Sequence, residues 1–217
     1  MTDYATDVSP GVRRRQALAV GLAFVVGTLV FFIVFQLVRI FGSGTHEPLT
    51  PIAERKPGGE LAAQVLIPGG QGPAAIAPAA TTPATWNIAN ERGRVVLVNY
   101  FATWCGPCME ETPDLVKIAS EYAPRGVVTV AISVDQDADR AGGESSRMRA
   151  LRQYVETYKV PYPILVPPED SVLWKMDFPI PQTFLYDRQG RRARKIVGMA
   201  DEASIRKSLE ELLAERE

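Results

Sequence analysis

Cys105 and Cys108 are the only cysteines of the chain, and only Gly106 and Pro107 separate them. Pro107 suits the first turn of a helix, where its missing N–H costs nothing. That places Cys105 at the end of a loop, at a helix N-terminus, where the helix dipole and unpaired N–H groups favour a thiolate. Cys108 falls inside the first turn and is expected to be the less exposed of the two. Thiols at this spacing can close a small disulfide without moving the fold. The chemistry this permits is thiol–disulfide exchange, with Cys105 attacking and Cys108 resolving. A zinc site needs four ligands, and no further cysteine exists; the one histidine, His46, lies far along the chain. Covalent haem attachment needs a histidine straight after the second cysteine, where Met109 stands. A purely structural cross-link of so short a loop would add little stability.

The elements that must position this pair are legible around it. Val95 to Val98 is a continuous apolar run, as in a strand buried on both faces of a parallel sheet. Leu115, Ile118, Ala119 and Tyr122 recur at helical spacing and predict a helix over Cys108 to Tyr122, with Pro113 inside it as a kink. Val127 to Ser133 is a second buried strand, so strand, helix and strand form a crossover with a parallel pair. Asp135 to Ser146 is polar and reads as a solvated loop; D-Q-D-A-D lacks the glycine and distal glutamate of a calcium loop. Met148, Leu151, Val155 and Tyr158 mark an amphipathic helix. A short strand is expected at Tyr162 to Val166 and a short helix at Ser171 to Met176. A strand at Phe184 to Tyr186, a turn at Asp187 to Gly190, a returning strand at Arg194 to Val197 and a helix bearing Ile205, Leu209, Leu212 and Leu213 complete the pattern.

The motif WCGPC, Trp104 to Cys108, resembles the active site of thioredoxin-like proteins. Asn99 stands where thioredoxin itself has a buried aspartate. Together with Glu111 in C-x-x-C-x-x-E and the later IPQTFLYDRQG, it is similar to the TlpA/ResA branch, membrane-tethered thiol–disulfide oxidoreductases that work outside the cytoplasm. The resemblance runs from about Ala84 to the C-terminus. It implies an α/β thioredoxin-like fold: a central mixed sheet with helices on both faces and a helix-plus-strand insertion between its halves. It implies that Pro181 is a cis-proline facing the cysteines. It makes Trp104, Gly106, Pro107 and the Ile180 backbone the surface that meets an extended substrate. Glu111, three residues past Cys108 on one helix, is its neighbour. Spacing alone leaves two readings, a solvated charge like Glu110 or a partly desolvated carboxyl that exchanges a proton with Cys108. The resemblance favours the second.

Before the redox domain, residues 1–16 are polar and end in Arg13, Arg14 and Arg15, and Ala17 to Val38 is almost wholly apolar. As a helix that run spans about 33 Å, enough for a bilayer core. The arginines predict a cytoplasmic tail at 1–16, a single transmembrane anchor at 17–41 and an extracytoplasmic remainder. A cleaved signal peptide is the competing reading. Residues 42–83, rich in Pro, Gly and Ala, read as a linker, with a short strand at Ala62 to Ile67, and 84–217 as the thioredoxin-like domain. With 24 basic and 25 acidic residues the chain has no nucleic-acid footprint. No metal or organic cofactor is expected beyond the Cys105–Cys108 disulfide. The expected partners are client proteins with disulfides or thiols, such as apocytochrome c, and a transmembrane thiol donor of the DsbD/CcdA type. Gly106-Pro107 is the dipeptide of thioredoxin itself, a strong reductant, and this likeness favours a reductase of client disulfides; a disulfide-donating oxidase is the runner-up, and a redox-silent peptide-binding module is the alternative of another class.

Overall fold

The computed structural model describes residues 20–21, 23–34, 45–58, 61–67, 85–136, 145–168, 171 and 179–215. The chain divides into two compact units, Met1–Ser43 and Gly44–Glu217. In the first unit, residues 20–21 and 23–34 are helical. Among the described residues no helix is long and apolar enough to cross a membrane. The anchor expected over 17–41 is thus described only in its middle. Its two ends, and Arg13 to Arg15, lie outside the described residues.

The second unit is built on one sheet. Its strands are β1 (Thr45–His46), β2 (Ala62–Ile67), β3 (Thr85–Asn87), β4 (Val95–Phe101), β5 (Val127–Ser133), β6 (Ile164–Val166), β7 (Gln182–Tyr186) and β8 (Arg192–Val197). The helices are α1 (Gly106–Tyr122), α2 (Ser146–Tyr158) and α3 (Glu202–Ala214). The strands lie in the order β1-β8-β7-β4-β5-β6-β2-β3. β4, β5 and β6 run parallel, and β7 pairs antiparallel with β4. The sheet is therefore mixed, as expected, and α2 with β6 is the expected insertion.

β4 and β5 show why continuous apolar runs make central strands. Every residue of both is buried. Val95, Leu97 and Phe101 meet Leu115 and Ile118 of α1, Leu151 and Tyr154 of α2, and Ile205 and Leu209 of α3. Val96, Val98 and Tyr100 point the other way, into a cluster with Trp86, Leu165, Phe184 and Tyr186. The crossovers β4-α1-β5 and β5-α2-β6 move the same way across the sheet, and crossovers of one hand then put both helices on one face. Among the described residues all three α-helices pack on that face. The other face carries no α-helix among the described residues, and of the short helix expected at Ser171 to Met176, residues 172–176 lie outside them.

The domain does not begin at Ala84. β1 closes one edge against β8, and β2 joins β6 to β3, so residues 45–58 and 61–67 belong to the sheet unit rather than to a linker. Arg55 adds a buried tie, bonding Asp187 at 3.1 Å and Glu215 at 2.5 and 2.6 Å. The Pro- and Gly-rich composition around them hid these short strands, which themselves contain no proline and are held by backbone hydrogen bonds to distant partners. Of the expected linker, residues 42–44, 59–60 and 68–83 lie outside the described residues.

Candidate active site

The register of the sheet assembles the site at one edge. β4 and β5 pair from Val95 with Val127 to Phe101 with Ser133, so their C-terminal ends lie side by side. β7 runs back along β4, with Thr183 opposite Asn99 and Gln182 opposite Tyr100. Pro181, just before β7, is thereby carried to the edge from which the chain leaves β4 for the cysteines. The Ile180–Pro181 bond is cis.

Cys105 and Cys108 form a disulfide, with S–S 2.07 Å and Cα atoms 5.3 Å apart. Cys105 is the N-cap residue of α1, and its sulfur accepts the backbone N–H of Cys108 at 3.3 Å. This is the placement expected for an attacking thiol, since unpaired N–H groups at a helix start stabilise negative charge on sulfur. Cys105 is more enclosed than anticipated, at 6% exposed, yet Cys108 is lower still at 1%. Pro107 lies in the first turn, and the helix continues through Pro113. Trp104 stands 72% exposed beside the pair. A side chain added at Gly106 would meet nothing within 4 Å. Ile180 is half-buried and Pro181 is buried.

Glu111 is not a solvated neighbour of Glu110. It is 2% exposed, on the inner face of α1 one turn beyond Cys108. Its Oε1 accepts from Asn99 Nδ2 at 2.7 Å and its Oε2 from the Ala200 N–H at 2.9 Å. Asn99 also donates to Thr183 Oγ1 at 3.2 Å. Burial pushes the Glu111 carboxyl up to about 7, against the opposing pull of the Ala200 and Asn99 donors; the nearby Asp114 charge adds to the rise. A carboxyl titrating near neutrality beside a resolving thiol can take that thiol's proton and return it.

Three parts of the site were not foreseen from sequence. Asp135, 4% exposed at the end of β5, binds the turn that leads into the cysteines. It accepts the Thr103 N–H on both oxygens at 3.1 Å, the Thr103 hydroxyl at 2.7 Å and the Ser133 hydroxyl at 2.8 Å. A small acidic residue directly after a buried strand could have signalled it, but the acidic loop beyond drew the reading toward solvent. The second part is the loop after β8. Gly198, at φ 86°, donates its N–H to the Pro181 carbonyl at 2.9 Å. This turn, open chiefly to glycine, brings the Ala200 N–H to Glu111 and leaves Met199 47% exposed. The third part is Thr112, whose hydroxyl donates to the Cys108 carbonyl at 2.8 Å and lies 3.1 Å from that of Tyr154.

The chain is similar to known proteins in sequence and in fold. The thiol-disulfide oxidoreductase ResA of Geobacillus kaustophilus is 29% identical over 126 residues, which cover 58% of this chain and 67% of that protein. A DsbF homologue from Corynebacterium diphtheriae superposes with a TM-score of 0.57 at 20% identity, over 76% of this chain and 92% of that one, a likeness of fold. A thiol:disulfide interchange protein of the thioredoxin family from Chlorobium tepidum TLS gives 0.50 at 26% identity, over 61% and 88%. The sequence model of the redoxin family matches residues 67–213, which hold the disulfide, Glu111 and Pro181. With an N-capping cysteine bonded to its partner and a buried carboxyl one turn on, the chain belongs to the redoxin family, as a thiol–disulfide oxidoreductase of ResA-like kind.

Proposed function

We propose that this protein is a membrane-tethered reductase of protein disulfides outside the cytoplasm. The observation that carries the direction is Glu111, buried one turn from Cys108. Its negative charge opposes a thiolate on Cys108 and so disfavours the reduced pair. A pair whose reduced form is not stabilised holds its disulfide firmly and is a good electron donor, the opposite of a strong oxidant. In the reduced protein the Cys105 thiolate attacks a sulfur of the client disulfide. The client S–S bond breaks, a Cys105–client disulfide forms, and one client thiolate leaves. Cys108 gives its proton to the Glu111 carboxylate and attacks the Cys105 sulfur. The second client thiolate departs, the Cys105–Cys108 bond re-forms, and two electrons have passed to the client. No metal or organic cofactor enters these steps.

Trp104, Gly106, Pro107 and Ile180 form the surface for an extended client segment, with the Ile180 backbone beside Pro181 as its docking edge. The tether is read from the apolar run at 17–38. Its described residues are helical with large apolar side chains turned outward, Phe24 at 75% and Phe31 at 73% exposed. Thr28 satisfies its hydroxyl within the helix, on the Phe24 and Val25 carbonyls, as lipid requires. Reducing power outside the cytoplasm then comes from a transmembrane thiol carrier of the DsbD/CcdA type. Clients with thiols to be freed, such as apocytochrome c, consume it. The test is the reduction potential of the Cys105–Cys108 pair. A reductase lies near thioredoxin, at about −270 mV; a value near the about −120 mV of a strong oxidant would reverse the direction.

A further inference from the structure

Gln182 opens β7 directly after Pro181, and it is 1% exposed. Its Nε2 donates to the Pro179 carbonyl at 2.6 Å. Only the NH2 end of an amide can meet a carbonyl, so this bond fixes which way the side chain points. The Oε1 at its other end is buried and has no hydrogen-bond partner. Buried amides rarely leave an atom unpaired, because each such atom costs stability. A methionine would fill the same length without that cost. What the glutamine adds at this position is its one bond, to Pro179.

That bond closes a small ring over the residues placed beside the disulfide. The Gln182 backbone lies in the sheet, opposite Tyr100 of β4 and Val197 of β8. Pro181 has no N–H to turn back on Pro179. The side chain of Gln182 supplies the donor instead, from three residues along. On the other side of Ile180, the Gly198 N–H holds the Pro181 carbonyl at 2.9 Å. Ile180 is thus pinned through both of its neighbours. Among the described residues its own N–H and C=O make no backbone hydrogen bond. A fixed residue with both groups unengaged is one that an incoming extended segment can pair with.

We propose that Gln182 is a positioning residue for client binding, its side chain clamping the Pro179 carbonyl and so fixing the Ile180 backbone on which an extended client segment docks. This role rests on the reading of Ile180 as the docking edge. Gln182 acts through Ile180 and takes no part in the exchange of electrons. An edge arranged beforehand has less freedom to lose when the client binds. The effect therefore belongs to binding and not to the attack of Cys105. A disulfide too small to reach Ile180 should not feel it.

The test uses the 217-residue chain in detergent, reduced beforehand, as wild type and Gln182→Met. One substrate is a short peptide whose single cysteine is joined by a disulfide to 2-mercaptoethanol. The other is bis(2-hydroxyethyl) disulfide, which offers an S–S bond without a peptide. With either, Cys105 and Cys108 close their disulfide and the two substrate sulfurs leave as thiols. Gln182→Met should raise the half-saturating peptide concentration about fivefold, the worth of one hydrogen bond. Its maximal rate, and its rate on the small disulfide, should stay those of wild type. Equal slowing on both substrates means a structural role alone, and unchanged kinetics mean an idle side chain; either overturns the inference. If Gln182→Met does not fold, Gln182→Leu, which also lacks the donor, carries the same expectation. The docking edge is tested apart, on wild-type protein, with the peptide N-methylated along the backbone beside its cysteine. Methylation should raise the half-saturating concentration. If it does while Gln182→Met behaves as wild type, Gln182 alone is excluded. If methylation changes nothing, the docking edge falls and the role of Gln182 with it.

Discussion

Glu111 starts from an ordinary carboxyl value of 4.5 and is raised to about 7 in the folded protein, chiefly by burial. A carboxyl that binds its proton more tightly when folded loses stability as pH rises. The loss is absent below about 4.5, grows between there and about 7, and is complete above. A rise from 4.5 to about 7 corresponds to ~3 kcal/mol. Wild-type melting temperature should therefore fall across that window, and Glu111→Gln should flatten the fall. Melting curves from pH 4 to 8 check this, and parallel slopes would contradict it. The substitution is not neutral in itself. Both carboxylate oxygens accept a hydrogen bond, so one donor, Asn99 or Ala200, would face the new amide NH2. The two cysteines and Glu111 were legible in the sequence because their spacing on one helix start carries the chemistry. Asn99 was legible only by likeness to thioredoxin. The Ala200 N–H was not legible, since it reaches the site from a distant element through tertiary packing, which spacing does not encode.

The elements that hold the site also make predictions. Asp135 ties the end of β5 to Thr103, two residues before Cys105. Asp135→Ala leaves the Thr103 N–H and both hydroxyls without that acceptor, and each buried unpaired group costs about 1–3 kcal/mol. Client exchange should slow and the melting temperature should drop, while Asp135→Asn should recover part of both. Insulin reduction and thermal melts measure the two effects; an unaltered exchange rate in Asp135→Ala would remove Asp135 from the positioning of the cysteines. β5 was read to its observed ends and β4 from its first residue, because a run buried on both faces leaves no ambiguity of face; the reading of β4 stopped at Val98, short of Phe101, where polar Asn99 breaks the apolar run. β2 was read only as a strand inside a linker, and its neighbours as linker alone. Their partners β6 and β8 lie about a hundred or more residues away, and pairing at that range leaves no local signal. β3 pairs with β2 alone, and Trp86 is buried through that pairing. A fragment from Gly44 to Glu217 should thus fold cooperatively, whereas one from Ala84 should lose the β2 pairing and the buried Arg55 bridge. Circular dichroism melts of the two fragments decide this, and equal stability would show that residues 44–83 are dispensable.

At the scale of the molecule, two units serve one function: an N-terminal helix read as a tether, and a redoxin domain that carries the chemistry. The arginines at 13–15 predict an N-terminus in the cytoplasm. Reporter fusions after Glu217 should be active only if they work outside it, and a cytoplasmic-only signal would contradict the proposed orientation. The centre of the account is the division of labour between the thiols. Cys105 caps α1 and is the more accessible, while Cys108 sits inside with Glu111 one turn on. The most direct measurement is trapping in native membranes, with the 217-residue chain carrying Cys108→Ser or Cys105→Ser, quenched with acid and alkylated. The account predicts reductant-sensitive client adducts through Cys105 in Cys108→Ser and none in Cys105→Ser. Adducts through Cys108 in Cys105→Ser, with none in the other variant, would contradict it.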